Sequence, residues 1–225
     1  MPRLSRHSKT LEIQEQDLSE AQVLFLLQYG SLAVDTETGG LDPWFCDLRL
    51  VTICTPDNHI FLIRNPTYES KNLVNLLQSI GIKFLFQNAL FDLRFLVKHL
   101  GLLKVPDFEC TKTLAKTIFW ASRSGLRALL KNMLNIEINK QIDHTWNEQN
   151  LSSRQIEYAC NDVLYLHPLF NYMKTQSLTK NTMAYSLAKE NIQKHVQLTM
   201  LGQDYVLQFE DLDPKEIHKR ITEIV

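Results

Sequence analysis

Short apolar runs broken by polar turns fill the first half of the chain, and apolar residues at helical spacing fill the second. Ser31–Asp35, Leu48–Thr55, His59–Arg64 and Lys83–Gln87 read as buried strands, and Phe108–Cys110 as a short fifth. Pro56-Asp57-Asn58 predicts a hairpin between the second and third. Helical spacing follows Ser19, a capping residue, and recurs over 68–80 and over 88–100, where Gly101 ends it. Further helices are expected over 111–120, 124–134 and 153–176, then over 182–225 with a break near Gly202 and a new start at Asp213-Pro214. Three strands in meander order, then strand–helix alternation, predict an α/β fold: a mixed five-stranded sheet flanked by helices. The expected organisation is a frayed N-terminal arm (1–18), one domain (19–176) and a helical C-terminal extension (177–225). The apolar residues of that extension have three uses open to them: packing on the domain, forming a homodimer, or docking a partner.

Composition narrows the class. Lys and Arg number 24 against 25 Asp and Glu, so bulk charge does not coat nucleic acid with this chain, although local basic patches remain open. The cysteines, Cys46, Cys54, Cys110 and Cys160, form no C-x-x-C pair, and no H-E-x-x-H is present, which removes the common zinc motifs. Sparse cysteine fits a reducing compartment. Met1–Gln16 lacks the apolar centre of a signal peptide, and no apolar run is long enough to span a bilayer. A cytoplasmic chain with no membrane contact is expected.

Three acidic constellations carry the chemistry. Asp35 and Glu37 are two apart at the end of a strand, so both project from one face at the edge where open α/β sheets bind ligands. Taken alone, Asp35-Thr36-Glu37 reads first as a solvated turn. Asn88 and Asp92 are four apart on a helix, about 40° from one another around its axis. Asn88 suits a helix cap, while Asp92 lies among core-like neighbours. Tyr158 and Asp162 repeat the four-residue spacing on another helix. Acids drawn from three elements converge only if their charge is neutralised. Hard oxygen donors of this kind suit Mg²⁺ or Mn²⁺. Two such ions about 3.5–4 Å apart clamp the attacking and leaving oxygens of a phosphoryl displacement.

Three stretches resemble, in order, the three motifs of the DEDD exonuclease superfamily. They are Leu32–Pro43 around Asp35-Thr36-Glu37, Phe84–Leu96 around Asn88 and Asp92, and Gln155–Leu166 around Tyr158 and Asp162, the last in its Tyr form. The likeness is to ribonuclease D-type exonucleases and to the proofreading domain of family-A DNA polymerases. Gly125–Leu130, Lys140, Thr145-Trp146 and Leu151 resemble the ribonuclease D region between the second and third motifs. That family has Asp-Trp and then Arg-Pro-Leu, where this chain has Thr145-Trp146 and then Gln149-Asn150-Leu151.

The resemblance implies an RNase H-like (DnaQ-like) fold and a 3′→5′ exonuclease. Such an enzyme releases nucleoside monophosphates from single-stranded RNA or DNA ends by a two-metal-ion mechanism. Carried over by position, Asp35, Glu37 and Asp162 hold the ions, Asp35 toward both, Asp92 joins the metal site through water, and Tyr158 positions the nucleophile. Leu41 and Phe91 fall where the family places apolar groups against the terminal bases. Thr38 and Gly39 are placed to bond the terminal 3′ hydroxyl, and Trp44 to stack on a base. Asn88 is a further substrate-binding candidate. Arg123, Arg127 and Lys131, at i, i+4 and i+8, are expected to form one basic helical stripe that tracks phosphates. The rival readings are a DNA proofreading or repair nuclease, and an inactive nucleic-acid-binding homologue.

Overall fold

A computed structural model describes residues 10–138, 146, 150–177, 180 and 182–202. Its elements are, in order, β1 (Thr10–Glu15), α1 (Glu20–Leu26), β2 (Ser31–Thr38), β3 (Leu48–Cys54), β4 (His59–Arg64), α2 (Lys71–Leu77), β5 (Lys83–Phe86), α3 (Ala89–Leu100), β6 (Phe108–Cys110) and α4 (Thr111–Ile118). Then come α5 (Leu126–Leu129), which runs on as a π-helical turn over Leu130–Leu134, α6 (Ser153–Leu164), α7 (Leu166–Ser177) and α8 (Met183–Met200).

The sheet has six strands, not five, in the order β1-β4-β3-β2-β5-β6. It is mixed: β2 lies antiparallel to β3 and parallel to β5, and β1 lies parallel to β4. The added strand is β1, from the segment expected as a frayed arm. Its apolar residues Leu11 and Ile13 are exposed, so no burial pattern marks it. Backbone pairing with β4 holds it, helped by Glu12 on His59 at 2.6 Å and Glu15 on Arg64. Residues 1–9 of that arm lie outside the described residues, as do Lys140, Thr145, Gln149, and 203–225 with the expected restart at Asp213.

Two cores cover the two faces of the sheet, as expected for strands that are continuously apolar. Leu32, Val34, Phe84 and Phe86 pack with α2, α3 and α8 on one face. Ala33, Leu50, Leu62 and Leu85 pack with α4, α5, α6 and α7 on the other. Helix α8, the first part of the C-terminal extension, lies against α3 and α4. Tyr185 on α8 donates to Glu109 of β6 and accepts from the Cys110 N–H at 3.0 Å, which ties the helix to the sheet edge. Among the described residues no helix is long and apolar enough to cross a membrane.

Helix ends follow local chemistry. Ser19 and Gln22 form a capping box on α1, and Ser152 and Gln155 form another on α6. Gly101 ends α3 in the left-handed conformation at φ 65°. The single helix expected over 153–176 is divided at Tyr165. Pro168 has no N–H for the Leu164 carbonyl and its ring would strike it, so the axis must break there.

His167, next to that break, is buried, and its Nε2 lies 3.2 Å from the Cys54 carbonyl, which accepts from it. Burial pushes its pKa below the ordinary 6.5, more than the carbonyl raises it. The unfolded chain therefore takes up a proton at a higher pH than the native one. Stability from neutral His167 is complete above about pH 6.5 and is lost as pH falls toward the lowered native value. Urea unfolding at pH 7 and pH 5 should show this loss. The His167→Gln variant, which keeps a donor for Cys54, should lose less between the two values, and equal losses would contradict the assignment.

Candidate active site

The strand period sorts the residues at the end of β2. Ala33 belongs to the α6 side of the sheet, so Asp35 and Glu37 share that side, while Thr36 turns with Leu32 and Val34 toward α3. The pairing with β3 shifts between Glu37 and Thr38, which ends the regular ladder just past the acids. From α6, Tyr158 and Asp162 rise one turn apart against Asp35 and Glu37. One carboxylate oxygen each from Asp35, Glu37 and Asp162 lies within 4.8 Å of the other two. Oε1 of Glu37 and Oδ1 of Asp162 are buried and accept no hydrogen bond from the described residues.

Asp92 comes from the opposite face. It sits in the first turn of α3, 2% exposed, and its Oδ1 accepts from Thr36 N at 3.0 Å and Thr36 Oγ1 at 2.8 Å. It borders the same cleft but stands outside the three-carboxylate cluster. Thr36 is thus the link between the two sides of the sheet at this point.

The cleft is lined by Asp35, Thr36 and Glu37 from β2, by Gln87, Asn88, Phe91 and Asp92 after β5, by Leu126 from α5, and by Tyr158 and Asp162 from α6. Asn88 occupies the cap position of α3 but makes no side-chain cap bond there. Its Oδ1 accepts from Lys112 Nζ at 3.3 Å instead. Burial raises the pKa of Tyr158 far above the usual phenol range, and the negative charges of Asp162, Glu37 and Asp35 raise it further. The hydroxyl therefore stays protonated. Trp146, itself buried, flanks the Tyr158 ring with centroids 6.2 Å apart.

Other expected residues lie apart from this cleft. Thr38 Oγ1 donates to the Gly40 carbonyl at 2.6 Å, and Gly39 N donates to the Asp47 carbonyl at 2.9 Å, closing a loop beside the acids. That loop holds Leu41 and Phe45 largely exposed, and the Trp44 ring carries Lys98 Nζ 4.0 Å from its centroid. The expected basic stripe does not form over all three residues. Arg123 precedes α5, Arg127 is on it, and Lys131 lies in the π-helical turn, paired with Glu137. Only Arg123 is lost from the alignment, because it lies outside the helix; Arg127 and Lys131 both act on Glu137.

Gln87 and Leu126 line the cleft and were not expected. Gln87, a polar residue at the carboxyl end of a buried strand, was findable from the rule that ligands bind at such ends. Leu126 carries no signal beyond that of any apolar helix residue.

The donor set fits a hard divalent cation: carboxylate oxygens at mutual reach, without sulfur or imidazole. Carboxylates gathered from one strand end and a neighbouring helix make a site suited to metal-assisted phosphoryl chemistry. Residues 11–177 match the 3′-5′ exonuclease family, and the chain belongs to it.

Ribonuclease D of Haemophilus influenzae is 25% identical over 150 residues, 66% of this chain and 37% of that protein. DNA polymerase I of Aquifex aeolicus is 28% identical over 144 residues, 64% of this chain and 23% of that protein. The chain thus spans well under half the length of these relatives. Brucella melitensis NrnC with bound Mg²⁺ superimposes with a TM-score of 0.76 at 29% identity, over 89% of this chain and 98% of that one. The same Brucella protein bound to pGG superimposes at 0.70 and 28% identity, over 87% of this chain and 92% of that one. The fold is the RNase H-like one of RNase D-type exonucleases.

Proposed function

We propose that this chain hydrolyses the terminal phosphodiester bond at single-stranded 3′ ends of RNA or DNA, releasing nucleoside 5′-monophosphates. The observation that carries the reading is the meeting of Asp35, Glu37 and Asp162 oxygens within 4.8 Å at the end of β2. Asp35, Glu37 and Asp162 would hold two Mg²⁺ or Mn²⁺ ions, Asp35 toward both, and Asp92 would act through water. Bound there, the ions would supply Lewis acidity at the phosphoryl oxygens and ease ionisation of water.

The chain's own residues do the rest. Tyr158 orients the attacking water as a hydrogen-bond partner, since a phenol with an ordinary pKa of about 10 is a poor base at neutral pH. The water oxygen attacks phosphorus, the bond to the 3′ oxygen breaks, and that oxygen leaves with a proton. The cleft encloses about 190 Å³, below the roughly 300–1,000 Å³ that takes in a drug-sized ligand whole. This size supports gripping one end of a strand while the remainder stays outside. Asn88 and Phe91 line the cleft, and Leu41, Trp44 and Phe45, exposed on the loop after β2, would offer stacking surface to the strand. Arg123 and Arg127, exposed on either side of Leu126 in the sequence, would be available to phosphates of the strand outside the cleft.

The pGG bound to the Brucella relative supports a short RNA as the first probe. End-labelled RNA and DNA of matched sequence, incubated together with Mg²⁺ or Mn²⁺, should lose nucleotides singly from the 3′ end. Preference for DNA would favour a proofreading or repair role. Binding without release in either ion would make the chain an inactive homologue. In the same assay Tyr158→Phe should lower kcat about 10–100-fold, the range for a group that orients a metal site without ligating the ion, with metal affinity nearly unchanged. Wild-type kinetics from that variant would remove Tyr158 from the mechanism.

A further inference from the structure

Gln87 follows β5 directly and lines the cleft with the carboxylates, where a polar side chain either touches a bound strand or holds the wall around it. Its carboxamide is engaged by the protein at both ends. The Thr111 hydroxyl, fully buried at the start of α4, donates to Oε1, and Nε2 donates to the Ser124 carbonyl at 2.8 Å. The Gln87 carbonyl accepts from Lys112 N at 3.1 Å. One residue thus joins stretches 24 and 37 positions away. The second stretch, 119–125, is neither helix nor strand, so side-chain contacts set its course. Trp120 turns it at φ 51°, the Ala121 N–H holds it to the Ala115 carbonyl at 3.1 Å, and Gln87 holds its far end at Ser124. Two residues beyond Ser124, Leu126 opens α5 and lines the cleft that Asn88 and Phe91 also line.

We propose that Gln87 is a positioning residue for strand binding: its amide pins the segment before α5 to the end of β5 and so sets how far Leu126 stands from the carboxylates. The proposal rests on the exonuclease reading above. A carboxamide suits the task because it donates and accepts at once, whereas a carboxylate only accepts. Gln87→Glu keeps the Thr111 bond and turns an oxygen toward the Ser124 carbonyl.

The test is steady-state hydrolysis of a short end-labelled RNA with Mg²⁺ by wild type, Gln87→Glu, Leu126→Ala and the double variant, alongside hydrogen exchange of each. Gln87→Glu should raise KM about tenfold, the scale of one lost hydrogen bond set against a repulsive contact, with kcat within about twofold. Leu126→Ala should do the same, and the double variant should be no worse than the poorer single one, because both act through one wall. Exchange over residues 119–130 should quicken several-fold in Gln87→Glu while 31–38 stays as in wild type. A fall in kcat at unchanged KM, multiplying KM effects in the double variant, or unaltered exchange over 119–130 would overturn the proposal. A wild-type chain that releases no nucleotide would sink the exonuclease reading instead, and exchange alone would then decide whether Gln87 pins the segment.

Discussion

Replacing Asp162 by alanine is expected to reduce nucleotide release about a thousand-fold or more while the chain stays folded. The expected loss corresponds to ~4 kcal/mol of transition-state stabilisation at 1.36 kcal/mol per tenfold, a scale that loss of a metal ligand reaches because the ion's contribution is several kcal/mol. Folding should not suffer in parallel. Asp162 stands among Asp35 and Glu37, and removing one of three like charges relieves repulsion when no cation is present. In chelator the melting temperature of Asp162→Ala should equal or exceed that of wild type. Added Mg²⁺ should reverse the order. A ligand at 100 times its Kd stabilises the native state by ~2.7 kcal/mol, which the wild type gains and the variant largely forgoes. Asp35→Ala should behave alike. An Asp162→Ala protein with wild-type turnover would refute the assignment, and a variant that melts lower in chelator would show a structural role in its place.

Asp92 is expected to divide into two effects. Its Oδ1 receives both the N–H and the hydroxyl of Thr36, and all these groups are buried. Asp92→Ala strands the Thr36 N–H, which costs ~1–3 kcal/mol of stability for an unsatisfied buried donor. Activity should fall as well, by about 10–100-fold, the range for residues that act on a metal site from behind its direct ligands. Asp92→Asn keeps an acceptor oxygen for both Thr36 groups and removes only the charge. It should melt close to wild type yet remain about as slow as the alanine variant. Equal melting of the two variants would deny the Thr36 bonds their structural weight, and wild-type activity in Asp92→Asn would deny the charge any catalytic one.

The tyrosine and histidine predictions depend on neighbours in the same way. Tyr158 keeps its proton because burial and three carboxylates surround it. His167 stays neutral because α7 buries it, and burial outweighs the opposing pull of the Cys54 carbonyl. Only Asp162, one turn from Tyr158, is near in sequence; Asp35, Glu37 and Cys54 are brought in by the fold.

Local periodicity made much of this protein legible before any coordinates. Continuous apolar runs marked β2 to β5, because strands buried on both faces must be apolar throughout. Two-residue spacing put Asp35 and Glu37 on one face, and four-residue spacing did the same for Tyr158 and Asp162, because these periods are properties of the backbone itself. Strand β1 escaped notice because backbone pairing with β4 holds it, and its exposed Leu11 and Ile13 leave no burial pattern. Likewise only the assembled sheet placed Asp92 on the face opposite Asp162, bound to Thr36 and outside the carboxylate cluster. Tertiary structure also left Arg123 outside the helix that carries Arg127 and brought Gln87 and Leu126 to the cleft. The sequence by itself determined which side chains share a face of one element. Which faces meet was decided by contacts between residues far apart in the chain, and such contacts leave no period to read.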